Sequence, residues 1–332
     1  MMRMRSFHVL LFVAVCTALL SCSSDNKSGD KKTVTAKVQS APYELLVVAD
    51  KGWLKTGAGQ SLVEIVESPI AGLPQLEPQF RVTYIDPRSF DGVFKTYANI
   101  VMAKVGSQYS EPRMLKQENV YARPQVVVHL YAPDDRTFEA YVAGCGPRLL
   151  AMLNQNEFVR ERSFLRKHYS GIVQKQTLRQ FGVDIHVPSD IDDIKQGKHF
   201  FWASASKQEF RQNVCLYQLP MQDLTVERLA VLRDSVMRVN IPGGRDDQWM
   251  ETDMRTVVSD TVVVDGRQVL ALRGLWDMRN DAMGGPFVSY VHPTPNGDSI
   301  LVAEGFVFAP EEKKRPIIRQ LEAALQIVKW SR

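Results

Sequence analysis

The sequence predicts an α+β fold of mixed and antiparallel sheets with helices packed on one face, arranged as two α/β-type halves joined by a helical segment. Three observations predict it: short β-rich runs recur along the chain, helical stripes separate them in the first half, and the last third reads as a hairpin meander closed by one amphipathic helix. Tyr43 to Ala49 (YELLVVA) is the first strand, ended by Asp50-Lys51-Gly52. Gln60 to Glu67 is a short helix with Leu62, Ile65 and Val66 on one stripe. Phe80 to Ile85, Asn99 to Val105 and Gln125 to Tyr131 are strands. A helical region runs from Asp134 to about Tyr169, opened by Asp134-Asp135 as caps. Pro147 is predicted to interrupt it, because proline cannot continue the hydrogen-bond ladder. Val173 to Phe181 is a further helix with Gly182 as its left-handed stop.

In the second half Val183 to Val187, His199 to Ala205 and Asn213 to Leu219 are strands. Thr225 to Val239 is an amphipathic helix, with Thr225 as cap, Glu227 at its positive end and Leu229, Leu232 and Val236 as the buried stripe. Asp265-Gly266 sits between β-rich arms at Val262 to Leu270, a strong hairpin cue. Phe287 to Tyr290 and Ile300 to Phe308 form a second hairpin around Asn296-Gly297. The closing helix spans about Pro316 to Trp330, with Ile317, Leu321, Ala324, Leu325 and Val328 at helical spacing.

Composition bounds what such a fold can do. The chain has 332 residues, 45% hydrophobic and 23% charged, enough to bury a core without disulfides or metals. Its formal charge of +4 falls to about +2 without Arg3 and Arg5, which argues against a nucleic-acid partner. No repeat of 20–50 residues is visible, so solenoids and propellers are disfavoured.

The first residues carry their own signal. Arg3 and Arg5 precede an apolar run, His8 to Leu20, too short for a comfortable membrane span. Leu19-Leu20-Ser21-Cys22 then resembles a lipobox, in which the cysteine thiol takes a diacylglycerol and a peptidase cuts before it. Residues 1–21 are therefore expected to be a signal peptide and Cys22 an acylated N-terminus held in a lipid bilayer. Residues 22–42 are expected to form a polar, flexible tether of about 25 Å reach. An N-terminal half is expected over 43–182 and a C-terminal half over 183–332. Only Cys145 and Cys215 remain for the folded part. An exported pair can form one disulfide, closing a loop of roughly 70 residues and contributing about 4 kcal/mol; two buried thiols are the alternative.

The run Arg273-Gly274-Leu275-Trp276-Asp277-Met278-Arg279-Asn280-Asp281-Ala282-Met283-Gly284-Gly285-Pro286-Phe287-Val288-Ser289-Tyr290, with Glu304-Gly305-Phe306-Val307-Phe308-Ala309-Pro310, resembles a family of envelope lipoproteins typical of Bacteroidota, catalogued as a domain of unknown function, family 4837. Val47-Val48-Ala49-Asp50, Gly72-Leu73-Pro74-Gln75-Leu76-Glu77-Pro78 and Ile241-Pro242-Gly243-Gly244 agree with it, so the resemblance extends over most of 43–330. It implies an envelope location and brings no catalytic residue. The turn Gly244 to Trp249 is more charged than the family pattern.

Motifs for chemistry are sparse. The mature histidines (129, 168, 186, 199, 292) include no i, i+4 pair and no His-Glu-x-x-His helix. Asp190, Asp192 and Asp193 suggest a calcium loop, but Lys195 and Phe201 occupy the positions that need Gly and an acid. No Gly-x-Ser-x-Gly elbow exists. Gly57-Ala58-Gly59 reads as a plain turn before a helix rather than an anion cradle. No metal and no cofactor is expected, and no catalytic residue is assigned. The strongest candidate surface is the segment Leu275 to Pro286. There Trp276 offers an aromatic face, Asp277 and Asp281 carboxylates, and Arg279 a planar fork, a mixture suited to a glycan or peptide. The competing view makes Trp276 a core plug and Arg279 the partner of a carboxylate. The expectation is a membrane-anchored envelope lipoprotein that binds an envelope protein or glycan without catalysis. The alternative is a hydrolase of envelope polysaccharide or peptide using Asp277 and Asp281 as acid and base.

Overall fold

The fold was analysed in a computed structural model, which describes residues 36–206, 211–221, 224–264, 267–326 and 329–330. The leader, Cys22 and the Asp265-Gly266 turn lie outside the described residues.

Three first-half strands, Glu44–Val48, Asn99–Val105 and Val126–Ala132, are mostly apolar and buried, the pattern of parallel strands covered on both faces. β1 (Glu44–Val48) leads through α1 (Gly57–Val66) to β2 (Arg81–Ile85), and β3 (Asn99–Val105), β4 (Arg113–Glu118) and β5 (Val126–Ala132) follow. Their order is β2-β1-β3-β5-β4, parallel except for the β4–β5 pair. Leu45, Val47, Val101 and Val128 face α1 and the next helix, α2 (Asp135–Leu165). Leu46, Val48, Ile100 and Val127 face a layer of loop aromatics that includes Phe90, Phe94 and Tyr121. The edge strand β4 was not legible because its sequence, RMLKQE, has almost no β-rich character.

Pro147 does not interrupt α2, contrary to the expectation from its missing N–H. Its ring is exposed, while Phe138, Val142, Cys145, Leu149 and Leu153 keep one buried stripe in register across it. Burial of that stripe offsets the local penalty of about 3 kcal/mol. Gly146 lets the two helices approach, since a Cβ there would stand 2.8 Å from Ile65 Cδ1. Residues 36–40, placed in the tether by the sequence, are tied to this half through Val38 N–H to Arg123 O, Gln39 N–H to Thr96 O and Ala98 N–H to Ser40 Oγ.

Beyond α2, α3 (Gly171–Phe181) ends at Gly182 in the left-handed region, φ 67°, as its sequence predicts. β6 (Val183–Asp184) follows, and then β7 (Asp193–Gly197), β8 (Phe200–Ser206), β9 (Arg211–Pro220), α4 (Val226–Asn240), β10 (Met250–Val264), β11 (Arg267–Met278), β12 (Gly284–Pro293), β13 (Ser299–Phe308), α5 (Lys314–Leu325) and β14 (Lys329–Trp330). Seven of these strands form one antiparallel sheet ordered β10-β11-β12-β13-β9-β8-β7. The mixed α+β class is as expected, but helices cover both faces of this sheet. Ile318, Leu321 and Leu325 of α5 pack on Ala271, Tyr290 and Ala303, while Leu229 and Met237 of α4 pack on Leu272, Phe287 and Val302.

Of the two readings of the cysteines, buried thiols hold and the disulfide does not. Cys145 and Cys215 are both free and buried, in different cores, one under α2 and the other under α4, so no disulfide joins them. Burial pushes both thiols above their ordinary range. Among the described residues no helix is long and apolar enough to cross a membrane.

His292 on β12 gives a pH prediction. It is buried against α5, with Nε2 3.3 Å from Leu325 O, and burial holds its pKa down to about 4. The unfolded chain therefore takes up the proton first. Stability is full above pH 6.5 and declines toward pH 4, by about 3 kcal/mol from this residue alone. Urea unfolding of His292→Gln should show a shallower decline across that window than the unchanged chain.

Candidate functional site

Two contacts between the halves build the site. α5 begins at Lys314 with no cap from its own Lys313. The buried carboxylate of Glu77, from the first half, accepts Lys314 N–H at 2.7 Å and Arg315 N–H at 3.2 Å. An anion there satisfies orphan donors and complements the helix dipole. Gly72, at φ 79°, lies so close to β11 that a Cβ would stand 3.0 Å from Gly274 N. The segment Gly72 to Pro78 is thus a docking clip between the halves, a role its sequence did not disclose.

Docked this way, the halves leave a cleft of about 830 Å³. One wall is α2 from Pro147 to Phe158, the other is β10 from Val258 to Val263, and Pro69 to Ala71 line it as well. Gln79, Arg273, Arg319 and Gln326 also line it. The two arginines belong to a buried ionic cluster. Glu322 on α5 accepts from Arg273 Nε at 3.0 Å, from Arg319 Nη1 at 2.7 Å and from Tyr290 OH at 2.9 Å. Burial works against the Glu322 carboxylate, but Arg273 and Arg319 outweigh it and hold its pKa down to about 2. Arg319 Nη2 and Asn154 Nδ2 both donate to Gln79 Oε1. Arg319 Nε and Asn154 Oδ1 have no hydrogen-bond partner among the described residues. The lining therefore mixes apolar side chains with amides and guanidinium groups, as ligand clefts do.

A second polar cluster lies under α4, beside a pocket of only about 10 Å³. Arg233 Nη2 stands 2.8 Å from Glu304 Oε1, and Glu304 also accepts from Ser289 Oγ at 2.9 Å and Tyr217 OH at 3.3 Å. Arg233 and Glu304 are 3% and 0% exposed, so this is a structural pair inside the core. The sequence did carry a signal for it: Arg233 and Glu304 are charges inside apolar patterns.

The surface that the sequence singled out is not a site of this kind. Trp276 is 1% exposed and packs edge-on against Phe306 at 5.5 Å, so its face is unavailable to a ligand. Arg279 pairs with Glu251 at 3.2 Å and lies 4.7 Å from the Trp249 ring, whose other neighbour is Arg238 at 4.0 Å. Asp281 accepts from Gln248 Nε2 at 2.8 Å, bracing the turn at 243–248 against the β11–β12 loop. Gly284 and Gly285 serve close approach, because a Cβ on Gly285 would stand 2.0 Å from Val307 O. Asp277 is exposed, and none of Trp276, Asp277, Arg279 and Asp281 lines the cleft. Among the described residues no three His, Cys, Asp or Glu side chains are grouped to hold a metal.

The fold and cleft define an α+β protein with a five-stranded and a seven-stranded sheet, whose halves are clipped together around a shared groove. Residues 170–327 match the family described as Domain of unknown function (DUF4837). Residues 39–165 match a second family, described as Domain of unknown function (DUF8532). The stretches Val47 to Asp50 and Gly72 to Pro78, attributed to the first family on resemblance, fall within the second match. No curated protein matches the chain.

Proposed function

We propose that this chain is a lipid-anchored protein of the cell envelope that captures an envelope protein or glycan, without catalysis, in the cleft between its halves. The cleft carries the reading: it is about 830 Å³, lined from both halves, and floored by guanidinium and amide groups. The anchor rests on Leu19-Leu20-Ser21-Cys22, where acylation supplies the two-chain attachment that stable membrane residence needs. A hydrolase finds no support in the geometry, since Asp277 and Asp281 are exposed and outside the cleft.

Two variants test the two parts. Cys22→Ser should move the protein from the membrane fraction to the soluble one. Ala151→Trp fills the cleft from an exposed position on α2 and costs the helix only about 0.5 kcal/mol. In crosslinking pull-downs from intact envelope, the tryptophan variant should stay in the membrane fraction but lose the captured partner. Undiminished capture by Ala151→Trp would place the partner elsewhere.

A further inference from the structure

We propose that the occupant of the cleft is an extended peptide segment bearing a carboxylate side chain, which adds as an extra strand to the free edge of β10. This rests on the reading of the cleft as the binding site and specifies its ligand.

The first observation is the contrast between the two edges of the large sheet. An edge strand presents a row of unpaired N–H and C=O groups, and proteins normally shorten or charge such strands to prevent unwanted pairing. β7 is protected in this way: it has five residues, includes Asp193 and Lys195, and its Lys195 Nζ is bound to Asn240 O at 2.8 Å. The outer edge of the first sheet, β4, carries Arg113, Lys116 and Glu118 in six residues. β10 is different. It has 15 residues, and from Thr256 to Val264 (TVVSDTVVV) Asp260 is its single charge. Val258 and Val263 are 41% and 70% exposed.

The second observation is where this edge lies. Val258 to Val263 form one wall of the cleft, so a chain seated there would meet unpaired backbone on one side and α2 on the other. Val258, Asp260 and Val262 pair with Arg273, Ala271 and Val269 of β11, so their side chains share the sheet face that α5 covers further along. An added strand would extend that face and bury its alternate side chains against α2. Backbone pairing supplies affinity in such additions, and the alternate side chains supply selectivity.

Charge decides which peptide. Lys116, Arg148, Arg273 and Arg319 line the cleft against Asp260 alone. Counting Glu322 beneath the arginines and Glu118 beside Lys116 still leaves positive charge in excess. A carboxylate in the bound segment balances it. A second copy of this chain is the poorer occupant, because pairing β10 with β10 would bring the same positive surplus to both sides.

The test selects a random heptapeptide library, displayed on phage, against the full-length protein in detergent. The selected peptides should be rich in β-branched residues, carry Asp or Glu, and exclude internal proline. Synthetic copies should slow amide exchange in Val258–Val263 at least tenfold while leaving β7 unchanged. Arg148→Glu should weaken them at least tenfold, and changing their acid to Lys should restore part of the loss. Selected peptides that Ala151→Trp excludes, but that tolerate proline and leave β10 exchange unaltered, would overturn strand addition while the cleft reading stands. Selection of no peptide, together with intact partner capture, would overturn the peptide as occupant. Peptide binding and partner capture both indifferent to Ala151→Trp would sink the two readings together.

Discussion

Replacing Arg233 by methionine should destabilise the protein by about 3–5 kcal/mol, among the largest losses any single substitution in it can cause. Glu304 is fully buried, and its charge is balanced only by the guanidinium 2.8 Å away. Burial opposes the charge on Arg233, and Glu304, Tyr217 and Asp234 together more than offset it, so the arginine's pKa is raised. Arg233 also lies 4.2 Å from the Phe287 ring and donates to Thr252 Oγ1 at 3.0 Å. Methionine matches much of its volume but leaves Glu304, among the described residues, with Ser289 and Tyr217 as donors. Adding Glu304→Leu should recover most of the loss, because a buried pair replaced as a unit removes two desolvated charges together. Chemical unfolding of the two single variants and the double variant measures the coupling. If Arg233→Met costs less than 1 kcal/mol, the pair is not holding α4 to the sheet.

The second large effect is at Glu322. Glu322→Leu would leave the buried Arg319 and the partly exposed Arg273 as neighbouring cations without their shared carboxylate, a loss of about 3–5 kcal/mol. The same residue sets an acid limit. Its folded pKa of about 2 lies below the ordinary 4.5, so the unfolded chain binds the proton more readily. The stability it contributes is full above pH 4.5 and is lost as pH falls toward 2. This window overlaps that of His292 only between about pH 4 and 4.5, so the two losses are separable in a pH series. Because Arg273 and Arg319 line the cleft, Glu322→Leu should also alter capture; Arg233→Met, on the other side of the sheet, should leave capture intact wherever the protein remains folded.

Much of this architecture could be read from local pattern. The apolar run Asn99–Val105 predicts a strand with the bounds β3 has, and Thr225 caps α4 by accepting Arg228 N–H, as its position suggests. The parts that could not be read depend on partners distant in sequence. Glu77 looks like a surface acid beside prolines, yet its partner is the start of a helix 237 residues away. β4 and β7 are polar strands that exist because a neighbour offers them an edge. The α4 stripe was centred on Leu229, Leu232 and Val236, whereas the buried positions are Leu229, Ala230, Arg233 and Met237. An arginine at the centre of a buried stripe is a signal, but its meaning needs Glu304, 71 residues on. Trp276 admits two readings from sequence, and the core plug, with Arg279 paired to a carboxylate, is the one the structure bears out. A tryptophan among charges and glycines reads as a binding surface, and here the glycines admit the backbone while the indole fills the core.

The position of the captured partner is measured most directly by site-specific photocrosslinking in intact envelope, with the crosslinker at Val263 in one protein and at Arg279 in another. The cleft reading expects one discrete adduct from position 263, absent when Ala151→Trp is added, and none from position 279. An adduct from 279 alone, insensitive to Ala151→Trp, would return the partner to the β11–β12 loop and contradict it.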